Sequence, residues 1–307
     1  AFLKKAINEG GALFIWSGGN EENLDRAGAF GNLPRVDPSL EKGWINVVGL
    51  MSKDYYTNNT IANVSWNKLI PLTPAGSSKY WSISALGSVD YYDYDEGKTM
   101  TTYGSSFAAP RVTAAAALVK QAYPFMNGDL IRQTLLSTAT DIGDPGVDDV
   151  YGWGLLNIDK ALNGPALFDK RLALGDAVSV NITDGGTYVF SNNISGDAGL
   201  TLTGNGTLKL TGNSTFTGNT SVASGSHLYI NGGYRSSSVA VAQNATLSTQ
   251  NANVSGNVTN SGTISNTGNT TLSSYVATDN SKTIDSIIYT INRLRDMGRE
   301  YDVLILL

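Results

Sequence analysis

The 307-residue chain contains no cysteine. That excludes disulfide bridges, thiolate metal sites and a cysteine nucleophile, but it assigns no compartment, because secreted bacterial proteins often manage without cysteine. Histidine is nearly absent, with His227 the single example. Basic charge is in the minority: the formal net charge of −5 provides no global field to attract nucleic acid. No apolar run reaches the roughly 18 residues a transmembrane helix needs. No apolar stretch follows Lys4-Lys5 either, so Phe2-Leu3-Lys4-Lys5-Ala6-Ile7 reads as the end of an amphipathic helix and not as a signal peptide. The other end, Val303-Leu304-Ile305-Leu306-Leu307, stops inside an apolar run. Both ends together suggest a fragment.

Two compositions meet near residue 165. Before it, strand and helix signals alternate as in an α/β domain. Ala12-Leu13-Phe14-Ile15-Trp16 and Trp44-Ile45-Asn46-Val47-Val48-Gly49-Leu50 are short apolar runs of the kind found in strands buried on both faces. Pro110 to Tyr123 reads as a helix with Pro110 in its first turn. Its run Ala114 to Ala117 makes it apolar almost all round, which places it inside a domain. Asp129 to Ala139 reads as a second helix, with Leu130, Ile131, Leu135 and Leu136 on one side.

Beyond residue 175 charge almost disappears. From Asp176 to Tyr275, 60 of 100 residues are Gly, Ser, Thr or Asn, a bias that needs its own explanation. Apolar residues persist at strand spacing, as in Thr207-Leu208-Lys209-Leu210 and His227-Leu228-Tyr229-Ile230, and Gly/Asn turns separate the pieces. Short strands with one apolar face and quasi-regular turns describe a parallel β-solenoid rather than a disordered linker. Ile284, Ile287, Ile288, Ile291 and Leu294 fall at helical spacing, so Asp279 to Leu307 reads as an amphipathic helix. The domains expected are therefore an α/β unit over 1–165, a solenoid over 166–275 and an unassigned amphipathic segment over 276–307.

Two motifs carry chemistry. Gly104-Ser105-Ser106-Phe107-Ala108-Ala109-Pro110 places a serine at the mouth of a helix, where the helix N-terminus and backbone N–H groups favour developing negative charge. A serine hydroxyl is a weak nucleophile until a base takes its proton, usually a histidine. The other motif, Ser17-Gly18-Gly19-Asn20-Glu21, follows a strand directly. A side-chain amide held there is able to donate to an oxyanion, although Gly-Asn after a strand is by itself only a turn signal. Other acidic clusters read as structural. Tyr91-Tyr92-Asp93-Tyr94-Asp95-Glu96 suits a solvated hairpin loop better than a calcium site, and Asp144, Asp148 and Asp149 suit turn caps. His227, at a solenoid strand start, reads as an exposed structural residue, not a base.

The order of the two motifs resembles the subtilisin-like serine proteases, whose catalytic order is Asp, His, oxyanion Asn, then Ser. Ser105 stands where the family's motif has threonine. The resemblance implies Ser106 as nucleophile, Asn20 as oxyanion donor, and Ser17, Gly18 and Gly19 as the strand end that walls the main substrate pocket. Asp141 to Asn157, with Tyr151-Gly152-Trp153-Gly154, resembles the end of the protease domain in autotransporter subtilisins of Gram-negative bacteria. The repeat around Gly206 to Thr220 resembles their passenger region.

The implied fold is the C-terminal half of a three-layer α/β/α subtilisin-like domain followed by a right-handed parallel β-solenoid. The implied activity is that of a secreted serine endopeptidase acting on protein or peptide substrates. The resemblance also implies an outer-membrane barrel later in the same polypeptide and location at the cell surface or outside the cell. No cofactor is implied, the acidic loops give no expectation of a metal site, and the net charge gives none of a nucleic-acid partner. Residues 1–165 hold no histidine. The family's Asp and His both precede the Asn segment, so the expectation is a chain lying downstream of them and inactive alone. The alternative is a surface adhesin or display passenger whose protease part is vestigial.

Overall fold

A computed structural model describes residues 2–21, 25–52, 69–278, 282–285 and 289–291. The chain folds as two compact units, 1–122 with 127–162, and 123–126 with 163–307.

The first unit is built around one strand. In chain order it contains α1 (Phe2–Asn8), β1 (Phe14–Ser17), β2 (Trp44–Ser52), β3 (Leu69–Pro71), β4 (Ser82–Leu86), β5 (Ser88–Asp93), β6 (Lys98–Tyr103), α2 (Ser105–Ala122) and α3 (Gly128–Ser137). Strand β2 pairs in parallel with β1 and β4 and antiparallel with β3. Its central position explains its apolar run: Trp44, Ile45, Val47, Val48 and Leu50 are completely buried, each contributing roughly 1.5–3 kcal/mol by leaving water. Helix α2 packs on β1, β2 and β4. Helix α3 is capped by Asn127, whose side chain accepts from Leu130 N–H at 2.9 Å. The Tyr-Gly-Trp-Gly segment closes the unit along β4. Leu156 N–H donates to Ser84 O at 2.8 Å, Leu155 exchanges backbone bonds with Thr140, and Trp153 Nε1 donates to Tyr80 O at 2.8 Å. Asp148 caps this turn, accepting from Val150 and Tyr151 N–H at 2.7 and 2.6 Å.

Three expectations change. Strand β1 is not buried on both faces: Phe14, Ile15 and Trp16 are half-buried, because among the described residues β1 has only β2 as a neighbour. Helix α2 starts at Ser105, so Pro110 lies inside it and not in its first turn. The hydrogen bond that residue 110 would give to the Ser106 carbonyl is therefore missing. Nor is α2 enclosed: Ala108, Val112, Ala115 and Val119 are buried, but Thr113, Ala114, Ala117 and Leu118 are not.

The second unit is a parallel β-solenoid. Its strands are β7 (Ala177–Ile182), β8 (Thr187–Phe190), β9 (Gly199–Gly204), β10 (Thr207–Leu210), β11 (Thr220–Val222), β12 (His227–Tyr234), β13 (Ser238–Val241), β14 (Thr246–Asn260), β15 (Thr263–Thr267), β16 (Thr270–Ala277), β17 (Lys282–Asp285) and β18 (Tyr289–Ile291). One stack runs β8-β10-β12-β14-β15-β17 and another β7-β9-β11-β13-β14, with β16 and β18 following on β14. In the first stack Leu208, Leu228, Leu247 and Ile264 lie in register and are completely buried. Residues between them face outward, which is the period-two pattern the sequence displays. A third column brings Ile194, Ser214 and Tyr234 into line. Phe168, Phe216 and Tyr234 stack inside with ring centroids 4.9 and 5.3 Å apart.

The helix expected over Asp279 to Leu307 is not what the described part of that segment forms. Lys282–Asp285 and Tyr289–Ile291 are strands that extend the solenoid, pairing with β15 and β16. Ile284 and Ile291 therefore sit in strands; Ile287, Ile288 and Leu294 lie outside the described residues. The 19-residue step from Thr263 to Lys282, and from Leu272 to Ile291, continues the solenoid repeat, and its neighbouring coil supplies the hydrogen bonds that an isolated helix would have to make internally.

Candidate active site

Strand β1 delivers Ser17 to the end of the sheet, and Gly18 N–H extends the ladder to Val47 O at 2.8 Å. The chain then turns at Gly19, whose φ of 122° is in the region that side chains disfavour. The turn carries Asn20 back toward the start of α2. Thr73 brackets the segment from the other side, its hydroxyl accepting from Glu21 N–H at 2.9 Å and donating to Glu21 O at 3.1 Å.

The two sequence motifs meet through a reciprocal pair of hydrogen bonds. Ser105 N–H donates to Asn20 Oδ1 at 2.7 Å, and Gly19 N–H donates to Ser105 Oγ at 3.2 Å. Both bonds span more than eighty residues of sequence. Binding the carbonyl end of the Asn20 amide fixes which way its Nδ2 end faces, and among the described residues Nδ2 has no protein acceptor. Ser105 is buried, and Ser106 and Asn20 beside it are exposed. Ser106 stands in the first turn of α2, where backbone N–H groups have no partner within the helix. The position of this turn depends on Gly49 in β2: a Cβ there would lie 2.7 Å from Ser105 Cα and 3.0 Å from its N.

Ser106 opens onto a groove of about 670 Å³ between β1 and α2, lined by Trp16 and Ser17 on one side and Ala109, Thr113 and Ala114 on the other. The structure thus brings Asn20, Ser17, Gly18 and Gly19 together with the Ser motif. His227 belongs to the solenoid unit. It is half-buried rather than exposed, with Nδ1 3.3 Å from Thr207 Oγ1 and Nε2 2.7 Å from Ser248 Oγ. Burial, and then the charge of Lys209, push its pKa below the ordinary 6.5.

Residues that sequence reasoning passed over include Thr73, Gly49 and Arg111. Arg111 on α2 donates through Nη2 to Ser88 O at 2.7 Å and through Nη1 to Leu86 O, tying the root of β5 to the serine helix. Gly49 did have a signal, since a lone glycine inside an apolar strand marks a close backbone approach.

Compared with known proteins, residues 1–154 match the model of the subtilase family. The chain belongs to the subtilase family. Among curated relatives, this subtilase is 34% identical over 231 residues to the Neisserial autotransporter lipoprotein NalP of Neisseria meningitidis, covering 73% of this chain and 20% of that protein. It is 30% identical over 256 residues to an extracellular serine protease of Serratia marcescens, covering 70% of the chain and 24% of the relative. Serotype-specific antigen 1 of Mannheimia haemolytica is 36% identical over 163 residues, covering 51% and 16%. The subtilase chain thus spans a quarter or less of the length of these relatives, which include an autotransporter and an extracellular protease.

Proposed function

We propose that this chain is part of a secreted serine endopeptidase in which Ser106 attacks the carbonyl of the scissile peptide bond. The Asn20 Nδ2 and the Ser106 backbone N–H stabilise the resulting oxyanion, and the strand end Ser17 to Gly19 receives the substrate main chain. The observation that carries this reading is the Ser105 N–H to Asn20 Oδ1 bond of 2.7 Å. It holds the amide beside the serine and fixes its orientation, as an oxyanion donor must be held before the charge develops. The base and its orienting carboxylate are assigned to a family-type His and Asp outside residues 1–165, since no histidine lies within them. The 307 residues alone are therefore expected to be unreactive at Ser106. The substrates are proteins or peptides. The same polypeptide is expected to carry an outer-membrane barrel, as the autotransporter relative suggests, and to act at the cell surface or outside the cell. The test is proteolysis by a polypeptide that includes the Asp and His. Ser106→Ala abolishes it if the reading is right; undiminished cleavage by that variant rules the reading out.

A further inference from the structure

The β5–β6 ribbon stands apart from the main sheet. Its two strands pair from Ser88↔Tyr103 to Asp93↔Lys98, and no third strand joins them among the described residues. A two-stranded ribbon alone is marginal in water, so its support comes from the root. Gly87 N–H donates to Leu50 O at 2.7 Å, Gly104 N–H to Gly87 O at 2.9 Å, and Arg111 grips the carbonyls of Leu86 and Ser88. The root is thereby fixed to the helix that carries Ser106, and β6 ends three residues before that serine. The far end offers aromatic surface to solvent. Tyr91, Tyr92 and Tyr94 are 45%, 52% and 88% exposed, and Tyr92 and Tyr94 meet edge to face with centroids 5.1 Å apart. Three exposed aromatic rings in one short ribbon are more than the scattered apolar residues of an ordinary surface.

The charge around these rings selects the occupant. Asp90, Asp93, Asp95 and Glu96 stand against a single Lys98, a net of −3 on the ribbon. Lys98 is paired with Glu96 at 3.2 Å, and among the described residues no ion pair reaches Asp90, Asp93 or Asp95. Tyrosine faces attract ammonium and guanidinium groups, and the carboxylates attract the same groups. We propose that this ribbon is a docking surface for a lysine- or arginine-bearing segment of the polypeptide that is cleaved, several residues away from the scissile bond, since six-residue strands carry the tip roughly 17–20 Å from the root beside Ser106. The substrate part of this inference rests on the reading of Ser106 as nucleophile. Docking itself does not require a reactive serine, so the two are tested separately.

The experiment titrates the 307-residue chain into a fluorescein-labelled peptide alternating lysine and alanine, and into one alternating glutamate and alanine, and follows anisotropy. The lysine peptide is expected to bind and the glutamate peptide not to. Added salt should weaken the lysine complex, as it does any exposed ionic contact. Asp95→Asn with Glu96→Gln, or Tyr94→Ser, should weaken binding by roughly tenfold. Lys98→Gln should tighten it, a gain that misfolding does not produce. Equal binding of the two peptides, or variants indistinguishable from the parent chain, would overturn the proposal. Failure of Ser106 to react in a polypeptide that includes the family's Asp and His, with lysine-peptide binding to the 307-residue chain intact, would remove the protease reading and leave the docking surface standing.

Discussion

At the scale of single residues, the site depends on two small groups placed by long-range contacts. Asn20 lies in a glycine-rich turn that gives its side chain no local support, yet Ser105 N–H donates to its Oδ1 at 2.7 Å. Within the proposed mechanism, Asn20→Ala lowers kcat by roughly 10²–10³, about 3–4 kcal/mol of transition-state stabilisation, with KM little changed. Steady-state kinetics on a proteolytically competent form checks this; a rise in KM at constant kcat would make Asn20 a residue that only shapes the pocket. Gly49 acts from beneath. A methyl group there would press on Ser105 Cα at 2.7 Å, and the backbone it meets is not a flexible side chain able to swing away. Gly49→Ala should therefore cost roughly 1–3 kcal/mol by overpacking and displace the Ser106 turn. Thermal melts of the variant read the first effect, and an unchanged melting temperature would show that the backbone there yields freely.

At the scale of elements, the sequence was legible wherever a local pattern coincided with the long-range contact. Ser106 at a helix start, Asn20 after a strand and the alternating solenoid strands all took the form their neighbours in sequence suggest. Composition could not reveal who the spatial neighbours are. The apolar residues of β1 matched a central strand, but one side of β1 lacks a partner among the described residues. The alanines of α2 matched an enclosed helix, but Ala114 and Ala117 line an open groove. Ile284 and Ile291 fit a helical period as well as a solenoid repeat, and only register with β15 and β16 separates the two. The outward ladder of the solenoid has a pH-sensitive member in His227, between Thr207 and Ser248. Its folded pKa lies below the ordinary 6.5, so as pH falls the unfolded chain takes up the proton first. The stability its neutral form contributes is complete above about 6.5 and is lost as pH drops through the lower folded value. Melting temperature should therefore fall more between about pH 7 and pH 5 in the parent chain than in His227→Gln. Parallel curves would mean that protonation of His227 costs the fold nothing.

At the scale of the whole molecule, an α/β unit and a solenoid unit share one chain, and the subtilase match accounts for residues 1–154. The solenoid uses glycine, serine, threonine and asparagine in its turns and outward faces and also inside, where Ser214, Thr220, Thr249 and Asn260 are buried beside columns of leucine, valine and isoleucine. The α/β unit supplies a serine, an oriented amide and a glycine-lined strand end; it has no histidine to act as base. The central claim is that Ser106 is a nucleophile whose partners lie beyond residues 1–165, and a fluorophosphonate probe followed by peptide mapping tests it most directly. In a polypeptide that includes the family's Asp and His, the account predicts a single adduct on Ser106, absent in Ser106→Ala, and no adduct in the 307-residue chain. A label on another residue of the longer polypeptide, or an adduct on Ser106 in the 307-residue chain, would contradict it.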